Sequence, residues 1–121
     1  MAGIVLSASI AATVNGQSIN NRNWKAFIAD PINDTVTLHI HSDSSFVSNG
    51  KGEIFLTTKC TIQGDTLTFS DYGNTGHECP DPGKYKIVMN GNTFTFTLIE
   101  DACDGRAHAL EGLVWREAKM N

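Results

Sequence analysis

Between Thr35 and His41 the chain alternates residue by residue, with Val36, Leu38 and Ile40 on one side of an extended backbone and Thr35, Thr37, His39 and His41 on the other. A period of two is what a strand with one buried and one solvated face requires, because successive side chains point to opposite faces. Upstream, Trp24 to Ile28 is aromatic and apolar, and the turn cluster Asp30-Pro31-Ile32-Asn33-Asp34 joins the two runs into a first hairpin. After the loop Ser48-Asn49-Gly50-Lys51-Gly52, a second hairpin runs out along Glu53 to Ile62, turns at Gln63-Gly64-Asp65 and returns along Thr66 to Ser70. A polar connection from Asp71 to Pro82 leads to the third: Lys84 to Met89, the turn dipeptide Asn90-Gly91, then Thr93 to Ile99. Arg106 to Leu110 reads as a short helical turn, and Leu113 to Arg116 as a last strand.

One unit is used twice: Gly64-Asp65-Thr66-Leu67-Thr68-Phe69 is echoed by Gly91-Asn92-Thr93-Phe94-Thr95-Phe96. In both copies threonines share one face and Leu or Phe the other, as in a barrel wall with a wet outside and a packed inside. The pattern predicts an all-β fold, a small antiparallel β-barrel built from successive hairpins. The count reaches about eight strands if Ile4 to Ile10 and a strand near Phe46 contribute, and seven or fewer otherwise. Closure also removes the exposed sheet edges that an open sandwich would have to protect.

A chain of 121 residues has the size of one domain. Its net charge is −4 and its nine Lys and Arg are scattered, so there is no basic stripe to follow a phosphate backbone and nucleic acid is not an expected partner. The opening run AGIVLSASIAATV, within residues 1–14, reads as the remnant of an export signal lacking its basic start, or as a first strand; residues 15–121 form the barrel domain. That run is far shorter than the roughly 20 residues a membrane-spanning helix needs, so no transmembrane segment is expected. Of three cysteines, Cys79 and Cys103 both sit in turn-like surroundings next to predicted strand ends, and a disulfide between them is expected. Closing that loop would stabilise the fold by roughly 3 to 4 kcal/mol in the chain-entropy account. Cys60 lies in mid-strand and reads as a small buried hydrophobe.

The segments Gly64-Asp65-Thr66-Leu67-Thr68-Phe69, Cys79 with Gly83-Lys84-Tyr85, Gly91-Asn92-Thr93, and Asp101-Ala102-Cys103-Asp104-Gly105-Arg106 with Leu110 and Trp115 together resemble short bacterial secreted lipocalin-like proteins of the calycin group. The likeness covers the second half of the chain. In the first half, Trp24-Lys25 resembles the tryptophan that opens the first lipocalin strand, but Asn23 stands where a glycine belongs and the full signature is absent. The resemblance implies an up-and-down barrel with a small-molecule cavity, the Cys79–Cys103 bridge, and closure of the barrel base by Trp24 with Arg116 or Trp115. It also implies an exported protein, periplasmic or extracellular, and a monomer or weak homodimer.

Alternation turns Leu67, Phe69, Tyr85, Phe94 and Phe96 inward, which makes them the candidate lining of a site for a small apolar or amphipathic ligand. Tyr85 stands out because its hydroxyl needs a partner inside. A second reading makes the barrel a cofactor-free isomerase, cyclase or hydrolase using Tyr85 with a His or an acidic residue. A third makes it a filled structural or inhibitory domain acting through its loops. His39 and His41 share a strand face, yet no Glu follows His41 at the matching short spacing and His77 and His108 lie in other predicted regions, so they read as solvent-facing and no metal is expected. Glu100, Asp101, Asp104 and Arg106 cluster at the end of the Phe94-containing strand, together with Glu78 and Asp81 near the other cysteine, and acidic residues at a barrel mouth can act as acid and base or bind calcium. Their ordinary role is turn-shaping by Asp101 and Asp104, with Arg106 paired to one of them. No phosphate loop, CxxC or Ser-His-Asp order is present, and no cofactor is called for.

Overall fold

A computed structural model describes residues 19–30, 32–41 and 44–119. The chain order is β1 (Arg22–Ile28), β2 (Asp34–Ile40), β3 (Ser45–Ser48), β4 (Ile54–Gln63), β5 (Thr66–Tyr72), β6 (Gly83–Asn90), β7 (Thr93–Asp101), helix α1 (Asp104–Leu110) and β8 (Val114–Glu117). Each strand pairs antiparallel with the next, and β8 returns to pair with β1 through Trp24 opposite Glu117 and Lys25 opposite Arg116. The sheet is therefore a closed up-and-down barrel without an unpaired edge strand. Its eight strands all lie within the described residues, with the Phe46 strand as β3, so the count does not depend on Ile4 to Ile10, which lies outside them. The tight turns at Gly64 and Gly91 carry φ of 62° and 66°, a backbone region open to glycine because it has no Cβ to collide with the carbonyl.

Inward positions follow the alternation: Trp24, Ala26 and Ile28 on β1, Val36, Leu38 and Ile40 on β2, Leu67 and Phe69 on β5, Tyr85 and Ile87 on β6, Phe94 and Phe96 on β7 are all buried. Each large apolar side chain taken out of water contributes about 1.5–3 kcal/mol. Two β-bulges break the alternation. Between β3 and β4, Val47 faces Leu56 and Ser48 faces Ile54, leaving Phe55 as the extra residue. Between β6 and β7, Lys84 faces Glu100 but Tyr85 faces Leu98, leaving Ile99 extra. An extra residue reverses the facing of the residues beyond it. Leu98, Ile99 and Glu100 all face solvent, and the Asp101 side chain is fully buried.

The register gives the barrel two unlike ends. At one, marked by the β4–β5 and β6–β7 turns, Ile19, Trp24, Ile40, Leu67 and Phe94 are packed almost without exposure. The Trp24 indole Nε1–H donates to the Ile19 carbonyl at 3.1 Å, its ring meets Phe94 edge-on at 4.8 Å, and Phe94 stacks on Trp115 at 6.3 Å. Of the two partners expected to close the base with Trp24, Trp115 is buried and Arg116 is exposed. The opposite end carries the 49–53 loop, the 73–82 loop and α1, and there Cys79 and Cys103 form the expected disulfide with a Cα–Cα distance of 6.0 Å.

Candidate functional site

The open end of the barrel encloses a cavity of about 400 Å³. Ile28, Leu38, Val47, Phe69, Leu56 and Phe55 contribute apolar wall from the strands, and Ala109 and Leu110 contribute from α1. Phe55 and Leu56 are consecutive yet both reach the cavity, which the β3–β4 bulge allows and strict alternation forbids. Residues of the 73–82 loop and the disulfide itself form the rim, where Gly76, His77, Glu78, Cys79 and Cys103 line the opening. That loop is held by Glu78, whose carboxylate accepts hydrogen bonds from the Thr75 N–H at 2.6 Å, the Thr75 hydroxyl at 2.5 Å and the Gly76 N–H at 3.0 Å. These bonds, the Thr75 hydroxyl first, hold the Glu78 carboxyl down at about 2.

Asp71 and Arg106, which also line the cavity, belong to a buried ionic cluster centred on Arg106. Its guanidinium donates to Asp101 through two parallel bonds, Nε to Oδ2 at 2.7 Å and Nη2 to Oδ1 at 2.8 Å. Nη1 donates to Asp71 Oδ2 at 3.2 Å, and Nη2 also reaches the Asp81 carbonyl at 2.7 Å. The Tyr85 hydroxyl donates to Asp101 Oδ2 at 2.5 Å. The two disulfide cysteines join in through their backbones: the Cys79 N–H donates to Asp71 at 3.0 Å and the Cys103 N–H to Asp101 at 2.9 Å. Gly83 faces Asp101 across the sheet, and any Cβ there would collide with the Asp101 carboxylate and Arg106 Nη2, so the cluster fits only against a glycine.

Burial pushes the Asp101 carboxyl up, but the hydrogen bonds from Arg106, Tyr85 and the Cys103 amide outweigh it and hold it below the usual carboxylate range. Burial first, and then the carboxylate it serves, push the Tyr85 hydroxyl well above its usual value, so it remains a proton donor to Asp101 at every ordinary pH. Burial alone would lower Arg106, and the Asp101 carboxylate more than restores it.

Of the five residues expected to line a ligand site, Phe69 lines the cavity. Leu67, Tyr85, Phe94 and Phe96 are brought together with it in one buried hydrophobic cluster, with the Phe69 ring 5.8 Å from Tyr85 and 5.5 Å from Phe96, but they fill the barrel interior. Among the lining residues outside that set are Phe55, Thr58 and Asp71, which escape a reading by motif. A signal was present: Leu67, Phe69 and Asp71, like Leu56, Thr58 and Cys60, continue one inward-facing series. A polar residue at an inward position is the mark of a site within a wall.

Cys60 is buried, and desolvation pushes its thiol up to about 12, so it packs as a hydrophobe and carries no thiolate. His39 is half-buried where a solvent-facing residue is expected: it stacks on Phe46 at 4.1 Å and its Nε2 lies 3.0 Å from Ser48 Oγ. Burial first, then the nearby His41, lower its pKa. Among the described residues no group of three or more His, Cys, Asp or Glu is placed to hold a metal ion. No described helix is long and apolar enough to cross a membrane. No protein-family model, curated protein or solved structure matches this chain.

Proposed function

We propose that this chain is an exported, lipocalin-like binding protein that holds one small, largely apolar molecule in the open half of its barrel. The observation that carries this is the division of the interior. Aromatic side chains fill one half, while the other encloses about 400 Å³ walled by apolar residues, within the roughly 300–1,000 Å³ range of small-molecule sites. A barrel acting only through its surface would have no cause to maintain apolar walls around a space, since each wall side chain forgoes contacts there. The disulfide at the rim supports an oxidising compartment, periplasmic or extracellular. The acid–base pair that an enzyme of this shape would use does exist in Tyr85 and Asp101, but Tyr85 donates to a carboxylate already occupied by Arg106, and neither is among the residues lining the cavity.

Titration with N-phenyl-1-naphthylamine, which brightens in apolar surroundings, tests the reading. The expected result is saturable enhancement at one site, lost in Val47→Trp, which fills the cavity, and kept in the outward-facing Thr97→Trp. Enhancement that never saturates, or that Val47→Trp leaves intact, refutes it.

A further inference from the structure

Three buried side-chain polar atoms on cavity-lining residues have no hydrogen-bond partner among the described residues: Asp71 Oδ1, Thr58 Oγ1 and Trp115 Nε1. Thr58 and Trp115 are at most 1 % exposed, and the Asp71 side chain is fully buried. Asp71 and Thr58 are direct cross-strand partners on β5 and β4, so the bare carboxylate oxygen and the bare hydroxyl belong to one spot on the wall. A buried polar group left unmatched forfeits its hydration, at a greater cost when it is charged, so such a pair beside a cavity calls for a ligand group that satisfies both.

The charge around this spot is unbalanced. Asp71 and Asp101 share the single guanidinium of Arg106, and Glu78 adds a third carboxylate at the rim. Arg106 gives Asp101 a two-pronged bond but Asp71 only one, at 3.2 Å, and both hydrogen bonds reaching Asp71, from Arg106 and from the Cys79 amide, end on Oδ2. Nε, Nη1 and Nη2 of Arg106 are all engaged, which leaves the guanidinium poorly placed to receive an anionic ligand. His77 is the other titratable residue lining the opening.

Resting on the binding reading above, we propose that the ligand carries a protonated amine, set against Asp71 Oδ1 and Thr58 Oγ1, with its apolar body against Phe69, Leu38 and Val47. An ammonium supplies several N–H donors and the positive charge that Asp71 lacks, and a charge-assisted bond of this kind is about twice as strong as a neutral one. An alcohol of the same shape would donate once and leave the charge in place. A carboxylate would add a fourth negative charge beside those of Asp71, Asp101 and Glu78. Trp115 Nε1–H, a donor, is then met by an oxygen on the body of the ligand.

The test compares three molecules of one skeleton, 2-naphthylethylamine, 2-naphthylethanol and 2-naphthylacetate, by calorimetric titration at neutral pH. The amine is expected to bind about tenfold or more tighter than the alcohol, with the acetate weakest. Asp71→Asn should bring the amine to the level of the alcohol. Thr58→Val, which leaves the ionic cluster untouched, should weaken the amine by about threefold or more. Equal binding of amine and alcohol, tighter binding of the acetate, or an amine preference that survives Asp71→Asn overturns the inference. So does failure of the amine to bind while N-phenyl-1-naphthylamine still saturates the cavity. If that probe also fails, the binding reading itself falls.

Discussion

Replacing Arg106 with Met removes the cation that two buried carboxylates share, while keeping an unbranched side chain of similar length to fill the space. The guanidinium is 8 % exposed and makes four hydrogen bonds, three of them to Asp71 and Asp101, whose side chains are fully buried. Removing one partner of a buried ion pair costs about 3–5 kcal/mol, because the partner left behind is an uncompensated charge, and here two are left. Against a total stability on the order of 5–15 kcal/mol, that is a large fraction. Urea unfolding followed by the fluorescence of buried Trp24 and Trp115 measures it. The pH dependence gives the sign of the mechanism. In the native protein the Asp101 carboxyl lies below its unfolded value of 3.8, so its contribution is fully present above that pH and is lost as pH falls through the folded value. In Arg106→Met the Asp101 carboxylate is buried without its cation, its folded value rises, and the variant gains relative stability as pH falls. The gap between the two proteins should therefore be widest near pH 7 and narrow markedly by about pH 3.5. Arg106→Lys, which keeps the charge but loses the two-pronged bond, should fall between them. A loss under about 1 kcal/mol at pH 7, the size expected of a surface pair, or a gap that does not narrow in acid, would refute the reasoning.

The Cys79→Ser, Cys103→Ser double variant should lose about 3.5 kcal/mol, the loop-closure value for a bridge across 24 residues, as read by urea unfolding. A loss well above that would show that the bridge also positions the Cys79 and Cys103 amides on Asp71 and Asp101. Cys60 should resist an aromatic disulfide reagent in the folded protein and yield one thiol per chain once unfolded without reductant; rapid reaction of the native protein would contradict its burial.

Most of the wall was legible because alternation is a local property of a strand. Val36, Leu38 and Ile40, or Phe94 and Phe96, turn inward as the residue pattern says they must. The limits of that reading lie at the bulges. Strict alternation from Phe96 carries Glu100 inward, whereas the extra residue at Ile99 puts it in solvent and buries Asp101 instead. Likewise β5 runs on to Tyr72, into a stretch that reads as polar connection, and so brings Asp71 into the wall. A carboxylate predicts a loop only while its partner is unknown, and Arg106 approaches it from a segment 35 residues away.

Read alone, the chain determined the succession of hairpins, the turn positions, most of the inward face and the choice of Cys79 with Cys103, since each depends on neighbours a few residues apart or on the residue types suited to a turn. Which half of the barrel is filled and which encloses a cavity was settled in three dimensions. At each level of the barrel the volumes of side chains from all eight strands add up, and Trp24, Trp115, Phe94 and Leu67 crowd one end while Val47, Thr58 and Ala109 leave room at the other. No local period encodes that sum, because the residues that share a level are brought together only by the register of the closed sheet.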